Sequence, residues 1–475
     1  MRFLIVLFFL SVTSLANAQT ASTSTLEDQT GVAVTVYNQN IGLVKDARKL
    51  TIPVGQGELR FMDVAALIQP ETVHVKSLTA PERFSVLEQN YEYDLINRQK
   101  LLDKYVGQKV KLLHFNDFQG KEDTAEATLI SNNDGQIYKI GDEIYLGHPG
   151  EVVLPKLPEN LIAKPTLAWL FENADAKPQD VEVSYITGGI NWKADYVLVV
   201  NKDDTKGDLS GWVTLTNQSG TMYKDAQLKL VAGKVNVVSP QNVYRKKMML
   251  DEMKVAKTAA QQFVEQGMFE YHLYDLQRKT TIKENQTKQI SLLEAKAATI
   301  RKELLVQSQG NWWYTRYVDP SQSKTPVNVV MNVKNSEENH LGMPLPAGTV
   351  RLYKEDASGS LQFIGEDVID HTPKDEELKL KVGEAFDVVA ERRQVSFRQV
   401  TNKEYESEWE VTLRNHKKED VTVTVIEPLE GFSNWEILTS SLPYEKVDAS
   451  TVRFYVPVSK DGETKLTYQV RVMYF

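Results

Sequence analysis

Two aromatic clusters hold most of the residues whose types could do chemistry. After the double glycine Gly188-Gly189 come Asn191, Trp192, Asp195 and Tyr196, a carboxamide, a carboxylate and two rings placed where side chains can converge at the rim of a sheet. The competing reading, which we prefer, makes Trp192 a core plug whose indole N–H is satisfied nearby, while Asn191 and Asp195 hold the turn. The second cluster, Asn311-Trp312-Trp313-Tyr314-Thr315-Arg316-Tyr317, is denser. Adjacent residues of a strand point to opposite faces, so Trp312 and Trp313 cannot both be buried against one sheet. One of them, with Tyr314 and Arg316 close by, should face solvent, another domain or a ligand, a domain contact ranking ahead of a ligand platform.

No motif for bond-breaking chemistry stands out. The 7 histidines are scattered, without an i, i+4 pair or an HExxH, so no zinc site is signalled. Asp203, Asp204 and Asp208 share a loop but lack the alternating spacing of a calcium loop, and a solvated hairpin tip is the expectation. Ser321-Gln322-Ser323-Lys324 matches the SxxK formula, yet it lies between Pro320 and Pro326 with no SDN or KTG companion. GxSxG elbows, P-loops and GxGxxG turns are missing, and with them the usual cradles for a nucleophile, a nucleotide or a dinucleotide. No catalytic residue, metal or cofactor is therefore assigned. Carboxylates that converge only on folding stay open, because glycosidase acids need not be close in sequence.

The elements that must position these residues are strands. Val181, Val183 and Tyr185 alternate with Glu182, Ser184 and Ile186 up to the Gly188-Gly189 break, a turn that needs positive φ. Tyr196 to Val200 forms a second strand, and Leu209, Gly211, Val213 and Leu215 share one face of a third. Leu228 and Leu230 mark a fourth, giving an antiparallel meander whose one-sided pattern requires a second sheet or a barrel wall to cover it. VTLTN, MNVKN and VTLRN each end in an asparagine, Asn217, Asn335 and Asn415, at intervals too unequal for a solenoid. We read them as equivalent hairpins of successive sandwich-like units, with Asn tolerating the turn geometry.

The expected fold is mainly β: a multidomain chain of antiparallel β-sandwich and small-barrel units with a short helical insertion. Its parts are a signal peptide at 1–18, a flexible leader at 19–30, a β-sandwich at 31–106, a small β-barrel at 107–165 and the central meander at 166–238. A helical insertion at 239–267 and further β-sandwich units at 268–475 complete it. Asp94 is expected to cap a short helix presenting Leu95, Leu101, Leu102 and Tyr105 before Gly107. In the insertion, Met249, Met253, Ala256, Ala260 and Phe263 fall on one helical face beside a basic stretch, which suits either a helix lying on a sheet or a docking helix. In the last strand Leu466, Tyr468, Val470, Val472 and Tyr474 share the apolar face opposite Phe475, the wrong parity for an outer-membrane barrel.

Arg2, the apolar run Phe3 to Leu10 and the ending Ala16-Asn17-Ala18 have the three parts of a secretory signal, with cleavage expected before Gln19. The run is shorter than the roughly 18 residues a membrane span needs, and no transmembrane segment is expected elsewhere. A net charge of −9 spread along the chain disfavours nucleic acid as a partner. With Cys 0, disulfides, thiolate sites and a lipid-modified N-terminal cysteine are excluded. The chain is thus expected to be exported, periplasmic or extracellular, and not a lipoprotein.

Several segments carry a family resemblance: VYNQNIGLVKDARKL, MDVAALIQPETVHV and LEQNYEYDL, then YITGGINWKADY and GWVTLTNQSGTMYKDAQLKLVAGKVNVV, then FEYHLYDLQRKTTIKENQTKQISLL, MPLPAGTVRLY, GEDVIDHTP and EAFDVVAERR. Together they resemble the bacterial exported domain-of-unknown-function family 4139, whose best-named relatives are called mucoidy-inhibitor-like proteins. The resemblance implies an exported β-rich architecture with an envelope role, and offers no catalytic residue. It also favours strands over 285–305, where the Ala-rich composition alone would read as helix. The function expected is that of a non-enzymatic cell-envelope binding or structural protein, with envelope protein or polysaccharide as partner; the alternative is a carbohydrate-active or other hydrolase whose acids converge only in the fold.

Overall fold

The computed structural model describes residues 21–94, 96–116, 121–148, 150–156, 163–233, 235–236, 263–268, 271–308, 324–429 and 434–473. Strands dominate them, arranged in five sheets of four, five, eight, ten and five strands, none closed into a barrel. The α-helix described, Arg98–Lys104, is short, and no helix among the described residues is long and apolar enough to cross a membrane.

Alternation of side chains decides which face of each strand is buried. Val181, Val183 and Tyr185 of Gln179–Gly188 all point inward, as do Leu209, Val213 and Leu215 of Lys206–Asn217. The expected meander is not what joins them. Gln179–Gly188 pairs with Ile41–Leu50 and His74–Ser77 in the eight-stranded sheet, whereas Ile190–Val200 pairs with Lys206–Asn217 in the ten-stranded one. The turn at Gly189, φ +74°, therefore carries the chain from one sheet to the sheet facing it. Tyr223–Ala232 crosses back and runs parallel to Gln29–Tyr37. Alternation fixes the buried face of a strand but not its neighbour, so one pattern fits both a local meander and a crossing between two sheets.

One apolar core consequently runs from Val32 to Leu380 and draws on both halves of the chain. The strands at 31–106 do not form a sandwich of their own, since Gly55–Met62 and Phe84–Glu92 flank Thr166–Asn173. Within the expected flexible leader, Ala21–Ser24 is a strand that pairs in parallel with Gly55–Met62. Backbone pairing of a four-residue edge strand needs no apolar side chains, and Ser24 is held from within by Arg48, whose Nη1 donates to its Oγ at 3.2 Å. Arg48 is fully buried, stacks 3.5 Å from the Phe61 ring centroid and donates Nε and Nη2 to Asp46 Oδ2 at 3.1 and 2.8 Å.

Between Phe84–Glu92 and Thr166–Asn173 the chain builds a separate small unit. Its five strands run in the order Glu143–Leu146, Ile137–Ile140, Lys121–Ser131, Lys109–Asn116, Glu151–Val153, and its two outer strands stay apart. It is an open sheet, not the expected barrel, because closure requires the outer strands to pair. The helix packs Leu102 and Tyr105 into its core beside Leu112, Leu129 and Tyr138. Asn97, not Asp94, caps that helix, accepting from Lys100 N at 2.9 Å, while Asp94 forms an ion pair with Lys100 Nζ at 2.6 Å.

The expected helix at 239–267 lies outside the described residues up to 262, and its last part is a strand. Phe263–Met268 pairs with Tyr271–Leu276 and buries Phe263 in the core, so the Phe263 periodicity belongs to sheet packing. Over 285–305 the strand expectation holds. Gln286–Gln307 is a single strand of 22 residues that places Ile290 and Leu292 in the first core and Leu304 and Val306 in a second. That second core is a sandwich between Val421–Pro428 with Thr451–Val458 and the sheet of Val388–Gln399, Glu404–Asn415 and Gly462–Met473. Leu466, Tyr468, Val470 and Val472 face into it, as the parity of the last strand requires.

Asn217, Asn335 and Asn415 are fully buried, and none has positive φ. Each locks the loop after its strand through its carboxamide instead. Asn415 Nδ2 donates to Glu419 O, Val458 O and Ser459 O while its Oδ1 accepts from Lys417 N at 3.0 Å. Asn217 and Asn335 make the corresponding bonds, to Thr221 O and Lys283 O and to Met343 O and Pro373 O.

Candidate functional site

The first aromatic cluster is divided between two faces of one strand. In Ile190–Val200, Trp192 and Tyr196 point into the core; Trp192 Nε1 donates to Val231 O at 3.2 Å and Tyr196 Oη to Pro346 O at 2.8 Å. Burial pushes the Tyr196 hydroxyl far above its ordinary pKa. These two rings are core plugs and offer nothing to a ligand, the outcome that a period of two imposes once Ala194 between them is buried as well. Asn191 is exposed, and its Oδ1 accepts from Asn40 N at 3.4 Å. Trp312, Trp313, Tyr314 and Arg316 lie outside the described residues.

Asp195 points the other way and anchors a polar row on the outer face of the ten-stranded sheet. Its Oδ2 accepts from Thr214 Oγ1 at 2.8 Å, and its Oδ1 faces Lys193 Nζ at 3.2 Å and Arg351 Nη1 at 3.3 Å. Gln289 Nε2 extends the row to Thr214 Oγ1 at 3.3 Å, and Arg351 Nε extends it to Glu366 Oε2 at 3.2 Å. Five strands contribute: Gln286–Gln307, Lys206–Asn217, Ile190–Val200, Gly348–Glu355 and Leu361–Ile369. Burial alone would raise the Asp195 pKa, but the bonds from Thr214, Lys193 and Arg351 outweigh it and hold the carboxyl below its usual value.

Directly opposite Asp195 in the ladder stands Trp212, 39% exposed. Its side chain is outward because Val213 and Leu215 are inward. The signal for it lies in GWVTLTN, where the alternation that puts Val213 and Leu215 inward leaves the tryptophan on the other face. Farther along, Tyr353 and Phe363 meet edge to face at 5.6 Å between centroids, with Phe363 exposed on the edge strand.

A second feature is a cleft of about 300 Å³ at one end of the same sheet. The edge strands Leu361–Ile369 and Glu377–Glu384 come together there: Asp367 Oδ2 accepts from Lys381 N at 2.7 Å, and a Cβ on Gly365 would collide with Val382 O. The sheet thus curls toward closure without backbone pairing across the seam. Asp204, at φ +59° on its hairpin tip, accepts from Lys302 Nζ at 2.6 Å and also from Lys354 Nζ. Burial opposes this, but the two ammonium groups hold its pKa below the ordinary value. Asp204 is thus not a free hairpin tip, and Asp208 instead accepts from Ala297 N at 2.8 Å, so the aspartates of this loop do not converge on a cation. Val329 packs against both cores and lines the cleft, which opens at their junction beside the 95% exposed Phe386.

Both places are built from paired charges. Their carboxylates are held deprotonated by fixed cations and hydroxyls, and among the described residues no group of three His, Asp or Glu is placed to hold a metal ion. The fold and these surfaces define a mainly β, multi-sheet chain with an outer face of aligned polar groups. Residues 181–474 match a domain of unknown function, DUF4139, and the chain belongs to that family. The sequence matches no curated protein.

Proposed function

We propose that this is an exported protein of the bacterial cell envelope that works by binding or scaffolding and not by catalysis. The observation that carries the reading is the row from Gln289 to Glu366, in which Asp195 and Arg351 are engaged by neighbours beside an exposed tryptophan. Fixed, mutually neutralising groups on an outward face favour recognition, because Asp195 is already engaged by Thr214, Lys193 and Arg351. The signal-like first eighteen residues support export.

Fractionation of cells producing the full chain, and the chain lacking residues 2–18, tests this. The full chain should appear in the periplasmic or envelope fraction, shortened at its N-terminus, and should cosediment saturably with isolated envelopes. A full-length product confined to the cytoplasm, or a purified protein with no affinity for envelope material, would refute it.

A further inference from the structure

We infer that the outer face around Trp212 takes an extended polysaccharide chain of uncharged sugar residues. This rests on the binding reading above and names its ligand. Three observations lead there. The indole is exposed among polar neighbours, and an aromatic ring beside hydrogen-bonding groups suits a ligand that is apolar on its ring faces and polar at its rim. The row offers an acceptor at the exposed Glu366 and donors at Arg351, Lys193 and Gln289, with Asp195 beneath them holding Lys193 and Arg351 in place, so a hydroxyl, which both donates and accepts, finds a partner along it. Two carboxylates face two cations in that row, leaving no net charge to select a polyanion.

The geometry favours a polymer over a small molecule. The row crosses five strands, about 19 Å at roughly 4.8 Å per strand, on an open face and not in a pocket. Each polar group is already oriented by a neighbour, so little side-chain freedom is lost when a ligand replaces water. A dry protein interface would have to strip the remaining water from these ion pairs, whereas sugar hydroxyls keep them hydrogen-bonded.

The test uses the purified full chain, titrated calorimetrically with a hexamer of β-linked N-acetylglucosamine and a hexamer of β-linked glucose, and sedimented with isolated peptidoglycan sacculi. Saturable binding to at least one glycan is expected, weakened tenfold or more by Trp212→Ala, partly restored by Trp212→Tyr and weakened two- to fivefold by Gln289→Ala. Circular dichroism of each variant should match the wild type, because both side chains are outward. Equal binding by wild type and folded Trp212→Ala overturns the inference, as does no binding to any of the three glycans. Cosedimentation with envelopes that survives glycan digestion and is unchanged in Trp212→Ala overturns it too, in favour of a protein partner, and leaves the envelope reading standing. A cytoplasmic full-length product would instead remove the envelope reading, so the two failures are distinguishable.

Discussion

Replacing Arg48 with methionine should cost the first core about 3–5 kcal/mol, the range for removing one partner of a buried ion pair. The structure sets that size. Arg48 has no exposed surface and the Asp46 side chain only 4%, so Asp46 would be left charged in the core with Gln29 Nε2, at 2.9 Å, as its remaining side-chain donor. Met62 O and Ser24 Oγ lose their partners in the same step. Removing both charges in Arg48→Met/Asp46→Leu eliminates the stranded carboxylate, and the double variant should regain about 1–2 kcal/mol over the single one, short of full recovery because Gln29 and Ser24 stay unpaired. Amide hydrogen exchange at Val34 and Val44 reports the stability of this core without assuming that the whole chain unfolds in one step. Trp169, 5.3 Å from Phe61, gives a fluorescence signal from the same place. In the single variant, exchange at Ala21–Ser24 should rise most, since Arg48 holds Ser24. A loss below about 1 kcal/mol in the single variant, or a double variant less stable than the single, would refute the view that Asp46 depends on Arg48.

Asn415→Ala should destabilise the second core by about 1–3 kcal/mol, because three backbone carbonyls and one amide lose a buried partner; a urea midpoint equal to wild type would contradict it. Gly365→Ala should force the seam with Val382 apart, seen as faster exchange of the Lys381 amide, while unchanged exchange would mean that the strands have room to separate. Asp204 has a folded pKa below its unfolded value, so its contribution is complete above about pH 4 and is lost as the pH falls through the depressed value. Asp204→Asn should therefore flatten the acid side of the stability profile and leave its slope near neutral pH unchanged. Residues 181–474 produced alone should expose apolar surface and bind a hydrophobic dye, because Gln29–Tyr37 and Ile41–Leu50 take part in three of the seven strand pairings of the eight-stranded sheet. A fragment with native near-ultraviolet dichroism would show otherwise.

What the sequence made legible was the side of each strand that is buried. Val181, Val183, Leu215, Leu228 and Leu466 all face inward as alternation requires, and the same rule placed Trp192 and Tyr196 together in the core. Partners were not legible. The parallel pairings of Tyr223–Ala232 with Gln29–Tyr37 and of Ile190–Val200 with Gly348–Glu355 join segments far apart in the chain, and side-chain patterns carry no record of such neighbours. The same limit hid the candidate surface: Asp195, Arg351, Glu366 and Gln289 come from four strands and meet only once those strands are ordered. The asparagine at the end of three strands was visible as a recurrence, but its role was misassigned, because a buried carboxamide that ties down a loop and one that relaxes a turn leave the same mark in sequence.

The parallel pairing of Gln29–Tyr37 with Tyr223–Ala232 also imposes a timetable. A chain is made from its N-terminus at about 5–20 residues per second, so Val34 waits about 10–40 s for Leu228 to be synthesised. During that interval Val32, Val34, Val36 and Val44 are without the strand that completes their sheet. The small unit around Leu112 and Tyr138 draws only on nearby residues and can finish within the delay. The newborn chain therefore carries a folded bead and a sticky, waiting edge at once, a state in which a holding factor would matter more than at any later moment.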